Sequence, residues 1–236
     1  MASRSYGQYC GVTTAVELIG ERWALLIVRD LLVGPRRYTD LKQGLPKIPT
    51  NILSTRLKEL QEGGVVRRVP LMNCGLVYEL TDYGRELEPI VLALGRWGFP
   101  SMGEPGIDDV VTADSLTMAL RTAFQPDAAA SLPAAGYELH LGDVVLRVEV
   151  DGGLLTVVQL APALPGSPLL MHARMPAAEP ELVFAAGPGI RRLISGELTP
   201  GEAIDQEVIA VVKGDATLLD RFVATFHIDT RQPAAV

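Results

Sequence analysis

The sequence predicts an α+β chain in two parts, a helical first half ending in a short two-stranded ribbon and a second half built on a five-stranded sheet packed with helices. Three observations predict it. Residues 34–81 read as a short helix, a tight turn, a second helix and two strands flanking a polar tip. A stretch rich in glycine, proline and acidic residues, GFPSMGEPGIDDVVTADS, follows Trp97 without any sustained period. Beyond it the apolar residues alternate one by one instead of recurring at helical spacing. Five strands, with helical patterns that bracket and interrupt them, make an α+β arrangement of sheet and helices. At 236 residues, two domains fit better than one. The expected division is 1–99, a linker at 100–113, and 114–230.

In the first half, the helix beginning near Thr50 carries the most information. At about 100° per residue, Leu53, Leu57 and Leu60 share one narrow sector, and Asn51, Ser54, Thr55 and Lys58 share the opposite one. The leucines bury the helix; the polar face has the hydrogen-bonding groups and the width that a DNA major groove accepts. Arg56 falls nearer the buried side, where a structural or phosphate role is expected. Arginine pairs stand on either side, Arg36–Arg37 before the first helix and Arg67–Arg68 on the first strand, where phosphates would lie. An ordinary helical hairpin with a solvated polar face satisfies the same spacing.

After the ribbon, Thr81 and Asp82 offer a helix start. Leu87, Val91 and Leu94 then line one face, widened by Ile90, Leu92 and Trp97. Pro89 falls inside this pattern and should kink the helix or make it restart. So broad an apolar face suits a dimer surface or packing on the second domain.

Past the linker come YELHLGD (137–143), VVLRVEVDGG (144–153) and LLTVVQLAP (154–162), separated by Gly-Asp and Gly-Gly turns. In the second run Val144, Leu146, Val148 and Val150 alternate with Arg147, Glu149 and Asp151, one face dry and one wet. LLMHARM (169–175) and EVIAVVKGD (207–215) are the fourth and fifth expected strands. Helices are expected at 114–124, 189–198 and 215–226.

Charge divides the same way. The whole chain carries −7, but residues 1–100 hold 13 Lys/Arg against 10 Asp/Glu, a net of +3, and residues 101–236 hold 8 against 18, a net of −10. Contact with double-stranded DNA therefore belongs to the first half. No run of eighteen apolar residues points to a membrane, and MASRSYGQYCGV has no apolar signal core, so a cytoplasmic protein is expected. Two cysteines, Cys10 and Cys74, build no disulfide framework. His140, His172 and His227 are scattered, and HExxH, GxSxG, GxxxxGK and CxxC are missing, so no metal site, cofactor or catalytic residue is expected.

Two family resemblances sharpen this reading. From Tyr9 to about Trp97, the segments CGVTTAVELIGERWALLIVRDLLVGPRRYTDLKQGLPKIPTNILSTRLKELQEGGVV and YELTDYGRELEPIVLALGRW resemble the HxlR-type winged helix-turn-helix transcriptional regulators. That resemblance implies a homodimer on DNA, built from the 82–98 helix and an N-terminal helix around Thr14 to Ile19. It also implies a recognition helix starting near Thr50 and a wing at 65–80. The DNA-contacting candidates are Arg36, Arg37, Tyr38, Thr50, Asn51, Ser54, Thr55, Lys58, Arg67 and Arg68. In some members of that family a cysteine at the position of Cys10 acts as a thiol redox sensor; a small buried side chain is the plainer role for it.

The second half, from about 112 to 228, is similar to the sterol carrier protein type two fold. The similarity rests on PELVFAAGPGIRRLISGELTPGEAI followed by VIAVVKGDATLLDRFVATF. It implies an apolar tunnel for a hydrophobic small molecule. Leu139, Leu141, Leu146, Val148, Leu154, Val157, Leu160, Leu193 and Phe222 are the candidate lining, unless these side chains meet and fill the space. The reading that follows is a ligand-responsive, homodimeric regulator. Its alternative is a hydrophobic-ligand binding or catalytic protein whose helix-turn-helix serves only as a dimer platform.

Overall fold

A computed structural model describes residues 5–72, 75–106, 108–161 and 178–230. By their contacts these residues divide into two compact units, the first reaching Val91 and the second beginning at Leu92.

The first unit opens with α1 (Gly11–Ile19) and α2 (Ala24–Val33). In α2, Ala24, Ile27, Val28, Leu31 and Leu32 are buried at the i, i+3, i+4, i+7, i+8 positions of a single stripe. Helices α3 (Tyr38–Gly44) and α4 (Thr50–Glu62) follow across a short turn. Leu53, Leu57 and Leu60 are the buried leucines of α4, as their spacing requires. Burying one such side chain contributes about 1.5–3 kcal/mol. Strands β1 (Val66–Leu71) and β2 (Gly75–Leu80) pair antiparallel, with Arg67 opposite Glu79 and Arg68 opposite Tyr78. Thr81 then caps α5 (Asp82–Arg85) by accepting from the Gly84 backbone N–H. Gly84 has to be glycine, because a Cβ there would lie 2.1 Å from the Val65 carbonyl oxygen. The expected helix of 82–98 is divided, resuming as α6 (Glu88–Gly98), within which the first unit ends and the second begins, with Pro89 in its first turn, where a missing N–H costs nothing.

The second unit holds α7 (Ala113–Ala123), α8 (Pro126–Ala130) and the strands β3 (Ala135–Leu141), β4 (Val144–Asp151) and β5 (Leu154–Ala161). Then come β6 (Leu182–Ala186), α9 (Ile190–Ile194), α10 (Pro200–Asp205), β7 (Ile209–Gly214) and α11 (Leu218–Thr225). The sheet order is β5-β4-β3-β6-β7, with β3 and β6 parallel and the other pairs antiparallel. Gly152 and Gly153, both at positive φ, make the two-residue turn between β4 and β5. Helices α7 and α8 pack on β4 and β5, and α10 packs on β7 and α11. The core between sheet and helices centres on Tyr137, Phe184, Phe222 and Phe226. Phe222 meets the rings of Tyr137 and Phe184 edge-on at 5.3 and 5.2 Å.

The mixed helix and sheet architecture agrees with the sequence, but the membership of the sheet differs. The central strand β6, Leu182–Ala186, was not among the expected ones. Leu182, Val183 and Phe184 are apolar and buried in succession, so this strand between β3 and β7 shows no alternation to read. The strand expected at 169–175 lies outside the described residues, as does Cys74.

Candidate nucleic-acid interface

The polar sector of α4 stands free of the core. Asn51, Ser54 and Lys58 are exposed and Thr55 is half-buried. Two hydroxyls turn back on the helix, Ser54 Oγ donating to the Thr50 carbonyl at 3.1 Å and Thr55 Oγ1 to the Asn51 carbonyl at 2.9 Å. Each retains lone pairs for a second partner. The Asn51 amide has no hydrogen-bond partner among the described residues, and it sits in the first turn, where a helix lying in the major groove meets base edges. Tyr38, at the start of α3, reaches across the turn: its hydroxyl donates to the Thr50 carbonyl at 2.8 Å and lies 3.1 Å from Ser54 Oγ. That contact fixes the N-terminus of α4 against α3.

The arginines part company. Arg68 is exposed, its guanidinium 5.7 Å from the Tyr78 ring centre. Arg67 is exposed and pairs with Glu79 at 2.7 Å. Lys58 reaches Glu62 at 3.7 Å, a loose pair between two exposed side chains. Arg37 caps α3, its backbone N–H donating to Asp40 Oδ2. Arg36 departs from expectation. Only 3% of it is exposed, and Nη1 donates to the carbonyls of Gly34 and Pro35 at 3.1 and 3.0 Å. Its backbone also pairs in both directions with Tyr78 of β2. Adjacent arginines in an extended segment point to opposite sides, so the Arg36–Arg37 pair divides into one inward and one outward side chain.

Arg56 is structural, as its angle on the helix predicts. It is buried, with Nη2 donating to Glu21 at 2.8 Å and Nη1 to Glu59. Immediately beside it Trp23 occupies the left-handed backbone region at φ 79°, which for a bulky residue costs on the order of 1–3 kcal/mol.

Two apolar surfaces lie open. Val12 and Val16 on α1 are exposed, and α6 has no buried residue at all: Ile90 and Leu94 are exposed and Trp97 is 82% exposed. Leu87 and Val91 are half-buried. Cys10 caps α1 and is exposed, so the small buried role does not describe it. The backbone N–H groups of Thr13 and Val12 hold its thiol below the ordinary value.

In the second unit Leu139, Leu141, Leu146, Val148, Leu193 and Phe222 lie inside one buried cluster, with Val157 packed against it. Leu160 is half-buried. Leu154 is 75% exposed and lines nothing internal; it follows the Gly-Gly turn at the sheet edge. Tyr137 was missed by sequence reasoning. It is 1% exposed, its hydroxyl has no partner among the described residues, and burial pushes the phenol up to about 12 against the opposing pull of Arg221. On the wet face, partial burial raises Glu138, but hydrogen bonds from His140 at 2.9 Å and Arg147 at 2.8 Å outweigh it and hold the carboxyl below its usual range. Among the described residues no cluster of side chains is suited to a metal ion, and no helix is long and apolar enough to cross a membrane.

The first part of the sequence is similar to known proteins. A family model described as HxlR-like helix-turn-helix matches residues 18–104. The HTH-type transcriptional regulator YvaP of Bacillus subtilis is 40% identical over 85 residues, which are 35% of this chain and 79% of that protein. YdeP of the same organism is 33% identical over 91 residues, 38% of this chain and 71% of that protein. The Synechocystis regulator sll1512 is 33% identical over 94 residues, 39% of this chain and 70% of that protein. A crystal structure of the HTH-type transcriptional regulator ytcD matches 38% of this chain and 93% of its own at 35% identity, with a TM-score of 0.36. The family match ends at residue 104.

Proposed function

Because this chain belongs to the HxlR-like helix-turn-helix family of DNA-binding regulators, we propose that it binds a pseudo-palindromic operator as a homodimer and that an apolar small molecule in its acidic second unit modulates that binding. The observation that carries the DNA reading is the unpartnered Asn51 amide on the first turn of α4, flanked by exposed Ser54 and Lys58. Asn51, Ser54 and Thr55 read base edges, Thr50 and Tyr38 set the entry of the helix, and Arg37, Lys58, Arg67 and Arg68 hold phosphates. Arg36 supports the site from within.

The dimer is built on the open apolar surfaces of α1 and α6, whose exposed Val12, Val16, Leu94 and Trp97 suit burial against a second copy. A two-fold axis sets two recognition helices on half-sites about 34 Å apart. In the second unit the sterol-carrier-type reading is supported by the one-sided packing of helices on the sheet and by the orphan Tyr137 hydroxyl. An enclosed polar atom without a partner suits a molecule that is apolar with one hydrogen-bonding group. Cys10, exposed and with its thiol lowered, is a second input sensitive to oxidants.

The test is a binding-site selection on random duplexes with wild type and Asn51→Ala. Asn51→Ala is expected to lose discrimination at one base position per half-site, by about 1–3 kcal/mol. Identical preferences in both proteins would remove Asn51 from base readout, and absence of any selected sequence in the wild type would remove the operator.

A further inference from the structure

Beside α4, on the flank that carries neither the leucines nor the polar sector, Arg22, Trp23, Lys47, Pro49, Ile52 and Arg56 line an open cavity of about 420 Å³. All six belong to the first unit. Pro49, Ile52 and the Trp23 indole give it apolar walls. The Arg22 guanidinium lies 5.1 Å from the centre of that indole. Neither Arg22 nor Lys47 has a carboxylate partner among the described residues, whereas Arg56 has two, Glu21 and Glu59. Three cations against two carboxylates leave the cavity one positive charge in excess. Arg56 itself is 8% exposed, with Nη1 and Nη2 engaged by Glu59 and Glu21, so the charge left unanswered is that of Arg22 and Lys47.

We propose that this cavity binds a small aromatic carboxylate. A planar ring stacks on the indole of Trp23 between Pro49 and Ile52, and its single negative charge meets Arg22 and Lys47 and offsets the excess. The volume is in the range of small-molecule sites. A DNA phosphate would satisfy the cations but leave the indole and Ile52 without an apolar partner, and a neutral aromatic would leave the cations unanswered. The inference rests neither on operator binding nor on a ligand in the second unit, since it concerns free protein and the first unit alone.

Calorimetry of the full chain with 2-naphthoate, without DNA, is the test, with 2-naphthalenemethanol and inorganic phosphate as comparison probes. Saturable binding of naphthoate is expected, weakened about tenfold or more in Arg22→Gln and again in Lys47→Gln, as loss of a charge-assisted hydrogen bond implies. The alcohol is expected to bind weaker by a similar factor, and Asn51→Ala to bind like wild type. In a Trp97→Phe background the remaining tryptophan fluorescence should change on titration, because Trp23 is then its sole source. Lys47 is exposed and has neither hydrogen bond nor ion pair among the described residues, so its replacement leaves the fold intact and keeps the test valid should Arg22→Gln lower the melting temperature. Absence of saturable binding overturns the proposal. So does equal affinity for the alcohol, which means an apolar crevice only. Phosphate binding as tight as naphthoate overturns it too, and together with weakened DNA binding in Arg22→Gln would assign the cavity to the DNA backbone.

Discussion

Replacing Arg36 by glutamine separates the structural role of a buried arginine from the phosphate role that its sequence position suggests. The guanidinium donates to Gly34 and Pro35, and the backbone pairs with Tyr78 at 3.0 and 2.7 Å, so the residue ties the chain entering α3 to the second strand of the wing. Four cations per protomer remain as phosphate candidates, Arg37 half-buried and Lys58, Arg67 and Arg68 exposed. If each neutralises one phosphate, a dimer releases counterions from about eight, and the logarithm of affinity falls against the logarithm of salt with a slope of about −7. Arg68→Gln removes one contact from each protomer and flattens the slope by about 1.8. Arg67→Gln flattens it less, because Glu79 at 2.7 Å competes with the phosphate for that guanidinium.

Arg36→Gln should leave the slope unchanged. Its cost falls on the fold instead: buried carbonyls left without donors cost about 1–3 kcal/mol, which for a chain of this size lowers the melting temperature by about 2–4 °C per kcal/mol. Fluorescence anisotropy on an operator duplex between about 50 and 200 mM salt, with a thermal melt of each variant, decides the matter. A slope flattened by Arg36→Gln as much as by Arg68→Gln, with an unchanged melting temperature, would place Arg36 on a phosphate and refute the reasoning.

Three further outcomes are expected. Cys10, lowered by the N–H groups of Thr13 and Val12, should react with iodoacetamide faster than free cysteine at pH 7, with a rate midpoint below the ordinary thiol value; an ordinary midpoint would remove it as a redox input. Stability of the second unit should fall at both ends of the pH scale. The contribution of Glu138 is present above the ordinary glutamate range and lost as pH falls through its depressed value, and that of neutral Tyr137 is present below about 10 and lost as pH rises towards about 12. Melts of Glu138→Gln and Tyr137→Phe, which abolish the acid and alkaline losses respectively, check this. Val91→Asp should convert the dimer to monomer by burying an unpaired charge, read by light scattering at micromolar concentration; an unchanged dimer would move the interface off α6.

The elements of the first unit were legible because local rules and tertiary packing agree there. The leucine spacing of α4 fixes its buried side, and the same periodicity puts Asn51, Ser54 and Lys58 outward. Pro89 divides the helix after the wing where its missing N–H says it must. What escaped was direction within a pair and burial on two faces. Nothing in the string Gly-Pro-Arg-Arg says which arginine turns inward; the bridge from Arg36 to Tyr78, forty-odd residues away, decides it. Leu182–Ala186 shows no alternation because Leu182, Val183 and Phe184 are apolar and buried one after another in a strand flanked by β3 and β7. Leu154, read as internal from its apolar character, is at the exposed edge because β5 has a neighbour on one side only. The cavity beside Trp23 draws on three separate segments, and only the fold brings Arg22, Lys47 and Arg56 to one place.

An operator-bound dimer and a ligand-bound second unit are linked by thermodynamics whatever the physical route between them. A molecule alters DNA affinity only through unequal affinity for the DNA-competent and DNA-incompetent states. The factor by which it does so must equal the factor by which operator DNA alters its own affinity. Couplings of this kind amount to about 1–3 kcal/mol, a change of roughly 5–150-fold. With a fluorescent fatty acid as probe, the dissociation constant for DNA measured with and without probe, and that for probe measured with and without DNA, should shift by one common factor. Equal, non-unit factors identify the second unit as a sensor. Probe binding with both factors at unity makes it a separate binding module carried on the same chain, and absence of probe binding makes the cluster around Phe222 a solid core. The same cycle run with 2-naphthoate then tells whether the cavity beside α4 communicates with the operator or merely lies next to it.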